Sequence, residues 1–178
     1  MRIIAGSLKG KKIPAPDSEG VRPTSDRTKE AIFSILESRL FLDGLSILDL
    51  FAGTGNLGFE AISRGAGKVL FVDATYAVIQ QISKSAALLG VEKQCRVQVA
   101  DGAEFIESTP QTFDLIFADP PYEYTRMGEL PDLVLSKAIL SEEGYFVLEH
   151  DRRISFTDHE KLLLSRPYGR TLVSVFSH

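Results

Sequence analysis

The sequence contains very few of the residues that build disulfide bonds and structural metal sites. Among its 178 residues, Cys95 is the single cysteine, and the three histidines are scattered. A lone cysteine excludes an internal disulfide, and so small a set of cysteines and histidines does not favour a structural metal site. We therefore expect no bound metal.

Long apolar runs and low-complexity tracts are also missing. No stretch approaches the ~18 apolar residues of a membrane span, and Met1-Arg2-Ile3-Ile4 lacks the longer apolar core of a signal peptide. With 44% hydrophobic residues, a chain of this length can bury most of its surface in one domain. We expect a cytoplasmic protein with one domain and a small appendage.

Charge is unevenly distributed along the chain. The formal net charge of −4 argues against a general nucleic-acid coat protein. Residues 1–40 nevertheless carry eight Lys and Arg against five Asp and Glu, whereas residues 41–178 carry twelve against nineteen. The opening segment is either a solvated basic flap or a phosphate-binding region. Its candidate phosphate contacts are Arg2, Lys9, Lys11, Lys12, Arg22 and Arg27.

Apolar strand-like runs alternate with amphipathic stretches from residue 46 onward. The runs cover residues 46–50, 68–73, 96–100, 113–118 and 145–149. One helical pattern lies between Thr75, the predicted N-cap, and Gly90, the predicted terminating residue. This alternation is typical of an α/β fold with parallel strands.

The two ends of the chain break this rhythm. Residues 161–165 and 171–176 are too close for a crossover helix, which predicts a C-terminal antiparallel hairpin. A second small hairpin is predicted around Gly6 and Gly10. We therefore expect an N-terminal basic hairpin and loop over residues 1–24. The main α/β domain would cover residues 25–178, its first helix capped by Thr24 or Ser25.

A glycine-rich turn follows the first core strand and opens a helix. Gly53, Gly55 and Gly58 match the G-x-G-x-x-G pattern that lets a nucleotide cofactor approach the backbone. Asp73 follows at roughly the spacing of an acid that holds ribose hydroxyls. Taken alone, this pattern also fits a nicotinamide-dependent enzyme.

Acids at the strand ends favour S-adenosylmethionine as the cofactor. Asp49 could hold the ammonium group of this cofactor, and Asp101 could accept from its adenine amine. Because open α/β sheets bind ligands at the carboxyl ends of their strands, we expect these acids, Asp73 and Asp119 to meet in one crevice. The predicted cofactor-binding residues are Asp49, Phe51, Ala52, Gly53, Thr54, Gly55, Asn56, Asp73, Ala74, Asp101, Gly102 and Ala103.

The tetrad Asp119-Pro120-Pro121-Tyr122 closes the fourth strand and carries the predicted catalytic residues. Proline lacks an N–H and favours extended geometry in the residue before it, so carbonyl oxygens stay available as acceptors. The Asp119 carboxylate and the Pro120 carbonyl would orient an exocyclic amine, and Asp119 could also take its departing proton. Tyr122 would stack on the base.

With these motifs, the chain resembles the class I S-adenosylmethionine-dependent methyltransferases, whose acceptor loop reads Asn/Asp-Pro-Pro-Tyr/Phe for exocyclic amines. Residues 2–6, 10–12 and above all 21–33 look like the RsmD family. The resemblance implies a Rossmann-like fold with a mostly parallel seven-stranded sheet, a C-terminal antiparallel hairpin and a small N-terminal β-hairpin. It also implies methylation of guanine N2 in 16S ribosomal RNA, with small-subunit ribosomal RNA or the assembling 30S subunit as partner.

Two segments depart from the pattern of that family. The family commonly has glutamate where this chain has Asp73, and an Arg-rich continuation where it has residues 123–127. Ribose contact should survive with a changed reach, and RNA contacts after Tyr122 should differ. Three alternatives remain open: methylation of adenine N6 or a protein glutamine, a nicotinamide-dependent reductase, and a non-catalytic RNA-binding module.

Overall fold

The computed structural model of the protein describes residues 1–14 and 26–178. Within these ranges, the elements follow in the order α1 (Asp26–Glu37), β1 (Ser46–Leu50), α2 (Asn56–Ser63), β2 (Lys68–Asp73), α3 (Tyr76–Leu89), β3 (Cys95–Val99), α4 (Gly102–Ser108), β4 (Phe113–Ala118), α5 (Leu130–Ser136), β5 (Leu140–Asp151), β6 (Leu162–Tyr168) and β7 (Thr171–Phe176). The proposed caps Thr24 and Ser25 lie outside the described residues.

One sheet joins the seven strands in the order β3-β2-β1-β4-β5-β7-β6. Strands β1 to β5 are parallel, and β7 runs antiparallel to both β5 and β6. The predicted mostly parallel sheet with a C-terminal antiparallel hairpin is therefore confirmed. Because the chain moves outward from β1 to β3 and then returns beside β1 as β4, the topological switch point lies between β1 and β4, where such sheets bind ligands.

Apolar side chains alternate between the two faces of the sheet and form two cores. Helices α1, α2 and α3 cover one face, against residues such as Phe71 and Phe117. Helices α4 and α5 cover the other, against residues such as Ile116 and Phe146. The structure is thus a three-layer α/β arrangement in which the strand ends remain accessible at one edge.

Helix α3 shows how local sequence sets these boundaries. It begins after Thr75, and it ends at Gly90, whose backbone has φ of +75°. Glycine adopts this left-handed conformation without the steric penalty of a side chain. Ile79, Ile82 and Ala86 are buried on one side of the helix, so the predicted apolar spacing is the face that packs on the sheet.

The N-terminal hairpin is held together by few backbone contacts and by burial against the main domain. Arg2 and Lys12 form a single antiparallel bridge, and Ile3 N donates to Lys11 O over 2.9 Å. Ile3, Leu8 and Ile13 are buried in the core that contains α1 and α2. The hairpin thus packs into the same core as α1 and as α2, the helix that follows the glycine-rich turn.

Candidate active site

The glycine-rich turn reverses the chain sharply between β1 and α2. Phe51, Gly53 and Gly55 have positive φ values of 56°, 51° and 75°. Asp73 fixes the turn, because its Oδ2 accepts from Gly53 N over 3.1 Å. A Cβ on Gly55 would lie 2.7 Å from the Phe59 ring, so a side chain there would be both strained and crowded. Glycine at position 55 therefore allows the tight reversal of the chain after β1.

Asp49 is a buried carboxyl at the base of this turn. Its side chain is 3% exposed, and its Oδ2 accepts from Gly58 N over 2.9 Å. Burial raises the pKa of Asp49 to about 8, the Gly58 bond opposes this rise, and nearby Asp73 adds to it. A cation placed beside such a carboxyl strongly stabilises its ionised form. This is the chemistry expected of a residue that holds an ammonium group.

The acids that follow β2 and β3 are engaged with the backbone. Asp73 Oδ1 accepts from Thr75 N over 2.9 Å. Asp101 caps α4, and its Oδ1 accepts from Ala103 N, Glu104 N and the Tyr124 hydroxyl at 3.0, 3.2 and 2.8 Å. The cap is therefore a structural role for Asp101 beside the predicted adenine contact, and Ala103 N is already bonded within it.

The Asp119-Pro120-Pro121-Tyr122 tetrad leaves the sheet directly after β4. Pro120 is buried, whereas 40% of Tyr122 is exposed. Tyr124 N donates to Pro121 O over 2.8 Å and closes the turn. No such backbone bond to Pro120 O is found among residues 1–14 and 26–178. The predicted acceptor carbonyl is therefore compatible with binding an amine.

These elements line one crevice with a volume of about 860 Å³. Most predicted site residues lie in its wall: Arg27, Asp49, Phe51, Ala52, Gly53, Thr54, Asn56, Asp73, Ala74, Asp101, Asp119, Pro120, Pro121 and Tyr122. Gly55, Gly102 and Ala103 lie behind the wall. Gly102 is needed there, because a Cβ at that position would lie 2.3 Å from the Phe51 ring.

The predicted RNA-binding residues that the structure describes lie at the crevice edge and on the N-terminal hairpin. Arg27 lines the crevice. Arg2 is exposed and pairs with Asp26, with 3.0 Å between Nε and Oδ2. Lys9, Lys11 and Lys12 are exposed on the N-terminal hairpin. Arg22 lies outside the described residues. The pair with Asp26 places Arg2 beside the start of α1, where Arg27 lies, so the candidate phosphate contacts extend from the crevice edge onto the hairpin.

Sequence reasoning missed a buried ion pair behind the crevice. Lys29 and Glu60 are fully buried, with 3.0 Å between Nζ and Oε2. Lys29 Nζ also donates to Asn56 Oδ1 and Arg2 O, over 2.8 and 2.7 Å. Burial lowers the pKa of Lys29 against the opposing effect of Glu60. The sequence offered one signal of this burial, because Lys29 lies on the same face of α1 as the apolar residues Ile32 and Leu36.

Glu60 completes this network from helix α2. It accepts from Ile4 N and Ala5 N over 2.8 and 3.0 Å and from Arg64 Nε over 2.9 Å. Burial alone would raise the pKa of Glu60, but the bonds from Ile4, Lys29 and Arg64 outweigh it and lower that pKa. The hairpin, α1 and the helix that follows the glycine-rich turn are thus joined by hydrogen bonds that are shielded from water.

The crevice also extends across β4 to residues that the sequence did not single out. Its lining includes Glu149, near the end of β5, and Tyr168 and Thr171, which flank the β6–β7 turn. Tyr124 also lines the crevice, and its ring packs edge-on against Phe51 with centroids 4.8 Å apart. Burial and the bond to Asp101 raise the pKa of Tyr124 to about 12. The crevice therefore has one side over β1 to β3, which carries the predicted cofactor-binding residues, and a second side over β4 to β7.

No helix among the residues that the structure describes is long and apolar enough to cross a membrane. Across the same residues, His, Cys, Asp and Glu side chains form no group of three or more that could hold a metal ion.

The fold and the crevice together define a Rossmann-like methyltransferase, and comparisons with known proteins agree. Residues 1–177 match the family described as "Conserved hypothetical protein 95". The chain belongs to this family, which is the RsmD family predicted from the opening blocks and the crevice motifs.

Three similar proteins align with this chain over most of their lengths. A Bacillus subtilis protein named "Putative rRNA methyltransferase YlbH" is 35% identical, over 99% of this chain and 98% of the relative. The "Ribosomal RNA small subunit methyltransferase D" of Haemophilus influenzae is 34% identical, over 95% and 89%. Among solved structures, "Putative methyltransferase yhhF from Escherichia coli" has a TM-score of 0.86 at 29% identity, covering 99% and 96%.

Proposed function

We propose that this protein transfers a methyl group from S-adenosylmethionine to the exocyclic N2 amine of a guanine in bacterial small-subunit ribosomal RNA. The observation that carries this proposal is one crevice that joins the glycine-rich turn and three acids to the Asp119-Pro120-Pro121-Tyr122 tetrad. The names of the relatives support the class of RNA. The reaction would take place in the cytoplasm.

The cofactor side of the crevice fits S-adenosylmethionine better than a dinucleotide. Asp49 is buried and has a raised pKa, so an ammonium group beside it would favour its ionised form and pair with it, whereas a pyrophosphate would disfavour that ionisation. Asp73 and Asp101 would meet the ribose and the adenine amine, and Ala52, Gly53 and Thr54 would form the wall beneath them. The cofactor, when bound, supplies an electrophilic methyl group on a sulfonium.

The acceptor side orients the amine. Asp119 and Pro120 O would accept the two N2 hydrogens and direct the nitrogen lone pair, which is otherwise delocalised into the ring. Asp119 or water would take the surplus N2 proton when the nitrogen receives the methyl group that the bound cofactor would supply. Tyr122 would stack on a base that has left its own stack.

A covalent enzyme intermediate has no support in this site. Burial and the neighbouring Glu92 raise the pKa of the Cys95 thiol to about 12, so it stays protonated at neutral pH. Cys95 lies at the start of β3, outside the crevice wall. Direct transfer to the amine needs no such nucleophile.

Phosphate contacts would come from the basic residues at and beside the crevice. Arg27 would act at its edge, and Arg2, Lys9, Lys11 and Lys12 on the N-terminal hairpin would extend this surface, with Arg22 between them in sequence. We propose that residues 1–24 serve as the RNA-engaging appendage of the main domain formed by residues 25–178. The substrate would be small-subunit RNA, alone or in an assembling 30S subunit.

Labelled methyl transfer with purified protein tests this function. The substrates are 16S ribosomal RNA and 30S particles from cells that lack the gene, and digestion to nucleosides identifies the product. We expect N2-methylguanosine. N6-methyladenosine as the product would instead support adenine as the acceptor. Binding of NADH without binding of S-adenosylmethionine, measured by calorimetry, would contradict the methyltransferase assignment.

A further inference from the structure

Glu149 occupies the acceptor side of the crevice, next to the catalytic tetrad. Strands β4 and β5 are parallel, and their register pairs Ala118 with Leu148. The next residues are Asp119, just after the end of β4, and Glu149, two residues before the end of β5. They therefore lie side by side, and both line the crevice. The glycine-rich turn and the acids Asp73 and Asp101 follow β1 to β3, on the other side of Asp119 from Glu149.

The Glu149 carboxyl is held in place by the C-terminal hairpin. Its side chain is 8% exposed, and its Oε1 lies 2.9 Å from the Thr171 hydroxyl, which is also 3.1 Å from Tyr168 O. Thr171 and Tyr168 flank the turn of this hairpin and line the same crevice. A buried carboxyl that lies within a strand and is hydrogen-bonded to the neighbouring hairpin has little freedom to move away from a ligand.

Guanine differs from the other bases in the hydrogens along its Watson–Crick edge. It presents the N1–H beside the N2 amine, whereas adenine presents an N1 lone pair beside its N6 amine. Two adjacent carboxyl groups therefore match two adjacent donor positions on guanine, and one of them would repel adenine. Sites built to bind a donor discriminate strongly against an analogue that lacks it.

We propose that Glu149 is a specificity-determining residue that accepts the N1–H of the target guanine while Asp119 accepts from N2. This inference rests on the proposed function. It assigns the choice of guanine over adenine to a carboxyl pair, and it assigns the C-terminal hairpin the role of positioning one member of that pair.

The test compares RNA that carries guanine at the target position with RNA that carries 2-aminopurine there. The analogue keeps the 2-amine and has a lone pair in place of the N1–H. Wild-type protein should show kcat/KM at least tenfold lower for the analogue. Glu149→Gln should lower kcat/KM for guanine at least tenfold and leave the analogue unchanged or improved, because its carboxamide can donate to N1. Glu143→Gln, at an exposed position of the same strand, should leave both values unchanged.

Two results would overturn the assignment. Equal methylation of guanine and 2-aminopurine by wild-type protein would show that N1–H is not recognised, and this arm stands even if Glu149→Gln fails to fold. An equal loss on both substrates in a folded Glu149→Gln variant would show a structural role only. If wild-type protein did not methylate guanine in RNA at all, the proposed function itself would have failed.

Discussion

Lys29 and Glu60 form a fully buried ion pair, 3.0 Å between Nζ and Oε2, that joins helix α1 to the helix after the cofactor turn. Both ends have further partners: Lys29 binds Asn56 and Arg2 O, and Glu60 binds the N-terminal hairpin. The pair therefore fixes the position of the hairpin relative to the crevice.

Lys29→Met should destabilise the protein severely. The substitution keeps the apolar stem but removes the buried cation from Glu60, whose remaining cationic partner is Arg64. Breaking a buried ion pair in this way typically costs about 3–5 kcal/mol. Chemical denaturation monitored by circular dichroism measures the change. Lys84→Met, at an exposed position of α3, should stay within ~0.5 kcal/mol of wild type. A loss below about 1 kcal/mol for Lys29→Met would contradict the importance of the pair.

Gly58→Ala tests the close packing beneath the cofactor turn. A Cβ at Gly58 would lie 2.2 Å from the Phe71 ring and 3.0 Å from Asp49 Oδ2, so the helix must shift. We expect a loss of about 1–3 kcal/mol in unfolding free energy and weaker binding of S-adenosylhomocysteine. Gly128→Ala is the control, because no atom lies within 4 Å of its added Cβ. Equal behaviour of the two variants would refute this packing argument.

Binding of S-adenosylhomocysteine should strengthen as pH rises towards 8. The pKa of Asp49 is about 8 in the ligand-free fold, and the ammonium of the ligand requires the ionised carboxylate, so binding at neutral pH should release a proton. Calorimetry in buffers of different ionisation enthalpy measures this release. Asp49→Asn should abolish it and weaken binding by roughly 10- to 100-fold, the range for a lost hydrogen bond to a charged group. Proton release that persisted in Asp49→Asn would contradict this assignment.

The same carboxyl predicts how the stability of the ligand-free protein depends on pH. Its folded pKa of about 8 lies above its ordinary value of 3.8, so the folded state binds more protons than the unfolded state between these values. The contribution of Asp49 to stability therefore falls as pH rises from about 4 to about 8. Comparing denaturation of wild type and Asp49→Asn at pH 5 and pH 8 isolates this effect. The unfolding free energy of Asp49→Asn, relative to that of wild type, should be higher at pH 8 than at pH 5.

Tyr122→Ala and Tyr122→Phe separate stacking from other roles of this ring. Loss of a base-stacking ring typically costs about 1–3 kcal/mol, so kcat/KM for RNA should fall by about 5- to 150-fold in the alanine variant. The phenylalanine variant keeps the stacking face and should stay within about twofold of wild type. Equal losses in both variants would assign the effect to the hydroxyl instead.

Arg27→Gln should weaken RNA binding mainly at low salt. Arg27 lines the crevice, and loss of one phosphate contact lowers the slope of log K against log salt by about 0.7–0.9. Fluorescence anisotropy at several salt concentrations measures this slope. Arg39→Gln, after the end of α1 and bonded to Ile35 O, serves as the control and should leave the slope unchanged. An unchanged slope in Arg27→Gln would remove this residue from the RNA surface.

Much of the fold could be predicted because parallel strands leave strong sequence signals. The apolar run over Phe113–Ala118 was placed with its observed limits, and β5 was found but proved longer than expected. Strand-end acids were brought together because topology alone collects them at one edge. The family was recognised from short sequence blocks, residues 2–6, 10–12 and 21–33, and not from a structural pattern.

The remaining features depend on tertiary contacts that no local pattern encodes. A lysine on an apolar helix face is normally expected to reach solvent, so the burial of Lys29 becomes evident only when Glu60 and Asn56 are seen around it. Asp101 was expected to face the cofactor. Its bond from the Tyr124 hydroxyl could not be predicted, because Tyr124 belongs to a turn that is distant in sequence. Glu149 joins the site because β5 pairs with β4.

The most direct test of the central claim is to map modified nucleosides in 16S ribosomal RNA from cells with and without the gene for this protein. Our account predicts that one N2-methylguanosine disappears when the gene is deleted, returns with the wild-type gene, and does not return with Asp119→Ala. An unchanged set of N2-methylguanosines after deletion, or full restoration by Asp119→Ala, would contradict it.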